Sequence, residues 1–477
     1  MPKIAMIGAG SIVFCKTLSM DILATDALKD CDLWLMNRTQ PKLDRIEAFM
    51  TRVVKENGLP TRIHATLDRR AALDGADYVV VMIKVGGLAA FGHDYEIPLK
   101  YGVDQCIGDS IGPGGIFRGL RTIPVLVDIA RDMQELCPDA LMLQYANPMA
   151  INCLALGRAT DIRFIGLCHG VQTTLDLIGR YVEVPKQDID FLCAGINHMG
   201  WFLALKDKRT GRDLSSVLRE KIEKPEYYIN EKVRCEVMRQ FGYFMTESTG
   251  HLSEYLPWFR KSPEALALYC DQPAFGGESG VAYKGSKRNA AKYKDVDYLS
   301  LESPTIAGRS VEYCSYILEA METDKIFRLN GNVMNDGYIG NLPTDSCVEV
   351  PIFVDRRGLH PVNVGALPAQ CAALNQSNVS VHQLAVEAAL AGDPERVMQA
   401  IAMDPLTSAV CTLAEARAMT QELLEAEADL LPQFKGKKLR PVPKVDIPEG
   451  TKGVDVPLDP ALAIAHRFVK LAEQKIK

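Results

Sequence analysis

Lys3-Ile4-Ala5-Met6-Ile7-Gly8-Ala9-Gly10-Ser11 is an apolar run closed by two glycines one residue apart. Ile4–Ile7 reads as a short strand, and the stretch from Ser11 to Leu23 reads as a helix. Gly8 and Gly10 permit a tight turn and let a pyrophosphate approach the amide groups at the helix N-terminus, which Ser11 opens. Val13 stands where the usual fingerprint has its third glycine, so the match is partial. Its position between a strand and a helix makes it the candidate cofactor turn. The next apolar run, Asp32–Met36, ends at Asn37-Arg38. An acidic residue there would bind the adenine ribose. Asn37 can still hydrogen-bond a ribose. Arg38 is either a solvated loop charge or a partner for a 2′-phosphate, so NAD is the expected cofactor and NADP the alternative.

Outward from this turn, strands and helices alternate. Pro41–Lys55 has helical spacing, with Leu43, Ile46, Phe49, Met50 and Val53 on one side. Tyr78–Lys84 is a nearly continuous β-branched run, the pattern of a strand buried on both faces. Gly108–Gly115 reads as a flexible loop over the cofactor, before a helix at Ile123–Glu135. Ala140–Tyr145 and Arg163–Leu167 supply two more strands. The fold class is therefore α/β, a Rossmann-like doubly wound parallel sheet. After about residue 195 the rhythm changes. Strand-like Phe191–Ala194 and Cys347–Phe353 mix with helical Glu231–Gly242 and Ile306–Ala320. The expected division is a dinucleotide-binding domain over 1–195, a mixed α+β substrate and metal domain over 196–432, and a Lys/Pro-rich segment with a terminal helix, Pro460–Lys475, over 433–477. The whole is expected to be lactate/malate-dehydrogenase-like.

Composition excludes several classes. A formal net charge of −6 gives no reason to expect nucleic acid or an anionic membrane as partner. No apolar run is long enough to span a bilayer, and no charged and apolar leader opens the chain, so a secretory signal is not expected. The 13 cysteines are odd in number and show no Cys-x-x-Cys pairing. That argues against a disulfide framework or zinc finger and for a cytoplasmic protein with reduced thiols.

Beyond the cofactor half lie Asn147-Pro148-Met149, Cys168-His169-Gly170 and Asn197-His198-Met199. A simple 2-hydroxy-acid dehydrogenase would carry an Arg–His–Asp set there. Cys168 and His198 instead follow strand-like runs and are proper ligands for Mn, Fe, Co, Ni or Zn. Asn147 follows a strand and is placed to hydrogen-bond a sugar hydroxyl. Taken alone, Cys168 and His198 would more often be a buried thiol and a core imidazole. Tyr255 alone would be a packing residue.

The motifs together resemble family-4 glycoside hydrolases, and within them the melibiase-type α-galactosidases. The matching pieces are IGAGS from residue 7, DSIGPGGIFRGLRTIP at 109–124, ANPMAIN at 146–152, GLCHGVQ at 166–172, CAGINHMGWF at 193–202, GYFMTES with His251 and EYLPWF at 242–259, and NDGYIGNLP with VEVP at 335–351. The resemblance implies NAD and a divalent metal, usually Mn²⁺, with Cys168 and His198 as metal ligands. It implies His169 as the acid that assists the leaving group and Tyr255 as the base at sugar C2. It implies hydrolysis by C3 oxidation, C2 deprotonation, elimination, water addition and re-reduction, outside the two-carboxylate scheme. A His after the metal Cys points to an unphosphorylated α-glycoside, with α-galactoside the expected substrate. Gly170 departs from the Cys-His-Ser-Val of that subgroup, which leaves α-glucosides, α-glucuronides and galacturonides as alternatives. A plain NAD-dependent sugar or hydroxy-acid dehydrogenase is the alternative from another class. A homodimer or homotetramer is expected. Glu247 and His251 are secondary candidates, equally explained as helix-surface or capping residues.

Overall fold

Six parallel strands are formed by the first third of the chain: β1 (Lys3–Ile7), β2 (Asp32–Met36), β3 (Arg62–Thr66), β4 (Tyr78–Val81), β5 (Leu141–Gln144) and β6 (Arg163–Gly166). They lie in the order β3-β2-β1-β4-β5-β6, the dinucleotide-binding arrangement. All four residues of β4 and of β5 are buried, as expected for strands covered by helices on both faces. This computed structural model describes residues 1–292, 297–455 and 459–475.

The sheet does not stop at β6. β7 (Ile189–Ile196), β8 (Met199–Asp207), β9 (Phe244–Met245), β10 (Phe327–Met334), β11 (Cys347–Asp355) and β12 (Gly358–Pro361) extend it. The order continues β6-β10-β11-β7-β8-β9, with β12 beside β11, and every added pairing is antiparallel. The two expected halves, 1–195 and 196–432, thus share one twelve-stranded sheet. Met1–Leu439 forms one compact unit, and Arg440–Lys477 a second. Within the second, the helix Pro460–Lys475 has the bounds expected from sequence. Among the described residues, no helix is long and apolar enough to cross a membrane.

Two expectations are corrected. Gly108–Gly115 is not an open loop: Ser110 to Arg121 are all buried, and a helix begins at Gly112 and runs to Leu136. Pro113 sits in its first turn, where the missing N–H costs nothing. The helix expected at Ile306–Ala320 spans only Cys314–Thr323, and the residues before it form an irregular strand of chain. Ser310 there donates to Asp21 through both its backbone N–H and its hydroxyl, which gives the polar groups of this segment partners other than a helix.

A helix absent from the sequence reading, Ala369–Ala391, runs through the core against Gly112–Leu136 and Met149–Ala159. Asn375 and Asn378 are fully buried on it, one turn apart. The Asn375 amide donates to the Met199 carbonyl at 3.0 Å and accepts from the Trp201 indole at 2.8 Å. Asn378 donates to the Tyr255 carbonyl at 3.2 Å. One helix therefore fixes the backbones on either side of the site.

Candidate active site

The parallel strands all end at the same edge of the sheet, and the predicted site residues follow those ends. Gly8 after β1 has φ 96°, and a Cβ there would meet the Met82 carbonyl at 3.0 Å. A Cβ on Gly10 would fall 2.5 Å from Asn37 Oδ1. Both glycines are thus needed for the backbone to make this turn, the place where dinucleotide-binding folds bring a pyrophosphate to the helix N-terminus. Ser11 precedes the helix Ile12–Leu23, and its side chain makes no cap bond to the first turn. Asn37 leans over Gly10, and its amide donates to the Thr39 carbonyl at 3.0 Å. Arg38 is exposed. Asn147 follows β5, and Cys168 and His169 follow β6.

The extension of the sheet brings the remaining groups to this edge. β7 and β8 pair Ile196 with Met199, so Asn197-His198 is a two-residue hairpin turn. β8 pairs with β9, and the Thr246 N–H donates to the Gly200 carbonyl at 2.9 Å, so Glu247, which follows Thr246, arrives beside that turn. His198 (φ 64°) and Glu247 (φ 72°) both adopt the left-handed region. For non-glycine residues this costs about 1–3 kcal/mol each and persists only where surrounding structure enforces it, as it often does at functional sites.

Cys168 Sγ lies 3.4 Å from His198 Nε2. The other ring nitrogen, Nδ1, is 2.9 Å from the Tyr255 hydroxyl. His198 therefore bridges the thiol and the phenol. Glu247 Oε1 stands 3.9 Å from His198 Nε2, and Glu247 Oε2 pairs with His251 Nδ1 at 3.3 Å. His169, half-exposed, turns Nδ1 to Glu312 at 3.3 Å. Asp109 binds Arg118 at 3.0 Å, and Asn147 donates to it at 3.4 Å. Glu254 accepts from the backbone N–H groups of Ile107 and Gly108, which ties the Asp109 segment to the Tyr255 segment. Cys168, His169, His198, Asn147, Asp109 and Glu247 line one cleft of about 660 Å³. Tyr255 is buried beside the cleft, its hydroxyl on His198 Nδ1.

Charge in the cleft is finely divided. Burial pushes the Cys168 thiol well above its ordinary range, and Glu247 and Glu349 add to it. Burial likewise holds His198 neutral, down to about 4. Burial opposes the charge on Glu247, but the bond and charge of His251 outweigh it and hold the carboxyl below its usual range. His251 is lifted to about 9 because its bond to Glu247 overcomes burial. Asp109 falls to about 2, burial being outweighed by Arg118 and His251. His169 is raised by its bond to Glu312. The Tyr255 phenol is pushed well above its usual range by burial, then by Glu247, Asp109 and Glu254.

The donor set suits a divalent metal. Cys168 Sγ, His198 Nε2 and a Glu247 oxygen all lie within 4.8 Å of one another. Donors held at roughly 2.0–2.3 Å by one cation stand about 3–4.5 Å apart, so the two measured separations fit a shared ion. The Gly8–Gly10 turn suits a dinucleotide on steric grounds. Sequence reasoning placed Cys168, His169, His198, Asn147 and Tyr255 in one neighbourhood, and the structure brings them together. It gave Glu247 only a secondary place and passed over Glu312, Asn375 and Asn378. Glu312, Asn375 and Asn378 carry no local signal, because their roles depend on contacts distant in sequence.

Two family models cover most of the chain: "Family 4 glycosyl hydrolase" over residues 3–184 and "Family 4 glycosyl hydrolase C-terminal domain" over 193–407. An alpha-galactosidase of Rhizobium meliloti (strain 1021) is 42% identical over 440 residues, 91% of this chain and 89% of that protein. An alpha-galactosidase of Bacillus subtilis (strain 168) is 39% identical, covering 91% of this chain and all of that one. Among solved structures, a 6-phospho-alpha-glucosidase from gut microorganisms in complex with NAD and Mn²⁺ superposes with a TM-score of 0.75 over 91% of this chain and 99% of its own, at 20% identity, a likeness of fold. The family models and the sequence relatives agree with the fold and the cleft: this chain belongs to glycosyl hydrolase family 4.

Proposed function

We propose that this protein hydrolyses the glycosidic bond of an unphosphorylated α-galactoside, using NAD and a divalent cation, with Mn²⁺ the expected ion. The observation that carries the reading is the continuous line Cys168 Sγ–His198–Tyr255 hydroxyl, with steps of 3.4 and 2.9 Å. The α-galactosidase relatives support the sugar, and the family neighbour with NAD and Mn²⁺ supports the cofactors. Residues 1–195 supply the cofactor turn, and 196–432 supply His198 and Tyr255. Gly8, Gly10, Ser11 and Asn37 hold the dinucleotide. Arg38, at the adenosine end, is the residue through which NADP would be read. Cys168 and His198 hold the cation.

Held in these places, the nicotinamide would supply a reversible hydride acceptor for the sugar C3 position, and the cation would supply Lewis acidity beside it. Tyr255 removes the C2 proton that the C3 ketone has made acidic. With His198 Nε2 on the cation, the ring proton would sit on Nδ1, which lies 2.9 Å from the Tyr255 oxygen and would donate to it. That bond favours the phenolate and opposes the acidic surroundings. His169, held at Nδ1 by Glu312, protonates the leaving oxygen through Nε2. Asn147 binds a sugar hydroxyl at the cleft wall. Water then adds at C1 with its proton passing to His169, and Tyr255 gives a proton back to C2.

The free thiols of the described cysteines accord with a cytoplasmic setting, and a homodimer or homotetramer is proposed. The test is a panel of aryl α- and β-glycosides, with and without a 6-phosphate, assayed with NAD, Mn²⁺ and a thiol reductant. Turnover of the α-galactoside with no net NADH is expected. Turnover only of 6-phosphosugars, α-glucosides or uronides would move the substrate. NADH accumulation without glycoside cleavage would make the protein a dehydrogenase.

A further inference from the structure

Glu247 is not explained by the roles above, yet it is built into the cleft at some cost. Its backbone is left-handed, and its carboxylate is buried among imidazoles and a thiol. One oxygen, Oε2, is occupied by His251 Nδ1 at 3.3 Å. That leaves Oε1 directed to the space shared with His198 Nε2, 3.9 Å away, and Cys168 Sγ. The opposite wall of that space is Gly170. A Cβ placed on Gly170 would collide with Glu247 Oε1 and would stand 3.6 Å from Cys168 Sγ. The backbone N–H of the same glycine donates to Cys168 Sγ at 3.5 Å. The absence of a side chain at 170 thus makes the room that the carboxylate fills. This is the position at which the chain departs from Cys-His-Ser-Val.

We propose that Glu247 Oε1 is a third protein donor to the divalent cation held by Cys168 and His198, oriented by His251 and admitted by Gly170. The chemistry fits an ion harder than zinc. A thiolate and an imidazole alone suit soft and borderline metals, and an added carboxylate oxygen shifts the set towards Mn²⁺. His251 acts through Glu247, much as a partner hydrogen-bonded to a metal-bound carboxylate fixes its orientation. The inference rests on the reading that Cys168 and His198 bind the metal, and its test separates the two.

The probe is Mn²⁺ alone, titrated into the full-length protein without substrate, with free Mn²⁺ read by its paramagnetic resonance signal. Cys168→Ser serves as the control for the underlying site. Glu247→Gln is expected to weaken Mn²⁺ binding about 10–100-fold, the scale on which a ligand's immediate surroundings act, or more. Gly170→Ala, which leaves every donor atom in place, is expected to weaken it as well by displacing the carboxylate. The double variant should be little worse than Glu247→Gln, since both changes remove one interaction. Thermal melts check that each variant is folded; if Glu247→Gln does not fold, Gly170→Ala carries the test. Loss of affinity in Cys168→Ser with Mn²⁺ binding unchanged in Glu247→Gln and Gly170→Ala would overturn the proposal. In that case an increase in KM alone would make Glu247 a sugar-hydroxyl acceptor. Unchanged affinity in Cys168→Ser would instead overturn the metal reading beneath it.

Discussion

Tyr255→Phe is expected to lower kcat by about 10²–10⁴, the usual worth of a positioned general base. The substitution removes only the hydroxyl that lies 2.9 Å from His198 Nδ1. The ring keeps its edge contacts with His198 and His251, at centroid distances of 6.0 and 5.7 Å. The backbone keeps its hydrogen bond from Asn378. Folding stability should therefore change by only about 0.5–1.5 kcal/mol, the net value of one hydrogen bond. Because hydride transfer from C3 precedes proton removal from C2, the variant should still reduce bound cofactor on mixing with substrate. Steady-state rates, a thermal melt and the transient absorbance of reduced nicotinamide check the three parts. Wild-type turnover in the variant would move the base to another residue.

Removing the nicotinamide cofactor is expected to abolish hydrolysis outright, and amounts far below the substrate concentration should restore it fully. Hydride that leaves C3 and returns consumes no cofactor, so the requirement is catalytic. The structural warrant is the turn at Gly8 and Gly10. Added side chains there would strike the Met82 carbonyl and Asn37, so only glycine lets the chain make this turn into the helix N-terminus, where a pyrophosphate binds in such folds. Unfolding the protein, stripping small molecules, refolding and titrating NAD back while following glycoside cleavage is the measurement. Full activity in the stripped protein would contradict a redox route. A one-to-one yield of NADH per sugar would indicate a dehydrogenase.

Five of the six parallel strands were legible because each is a short, largely apolar run; β3, Arg62–Thr66, was not, because it is polar at alternate positions and none of its residues is fully buried. β2 has the bounds read from sequence, Asp32–Met36. The second half was less legible for physical reasons. β7–β8 and β11–β12 are local hairpins, but β10 pairs with β6 and β11 with β7 across long stretches of sequence, so nothing local announces that β10 and β11 lie between β6 and β7. The helix Ala369–Ala391 buries Asn375, Asn378 and His382 among its apolar residues and leaves Leu390 exposed, so it lacks the clean apolar stripe that betrays an amphipathic helix. Gly112–Leu136 was hidden by its own beginning, where glycines and Pro113 read as a loop. At the site, Cys168, His198 and Tyr255 became candidates through their motifs. Glu247 shared such a motif, but its left-handed backbone and its place opposite Gly170 cannot be read from spacing. Glu312 reaches His169 from a segment that was expected to be helical.

The most direct test of the account is the isotope content at sugar C2. The enzyme is run in D₂O on an unlabelled α-galactoside, with NAD, Mn²⁺ and a thiol reductant, and the released sugar is examined by proton NMR. Proton removal at C2 followed by water addition predicts deuterium at that carbon, with protium retained at C3 because the hydride returns from the cofactor. Released sugar carrying protium at C2 would contradict the elimination route and leave direct displacement at C1 in its place.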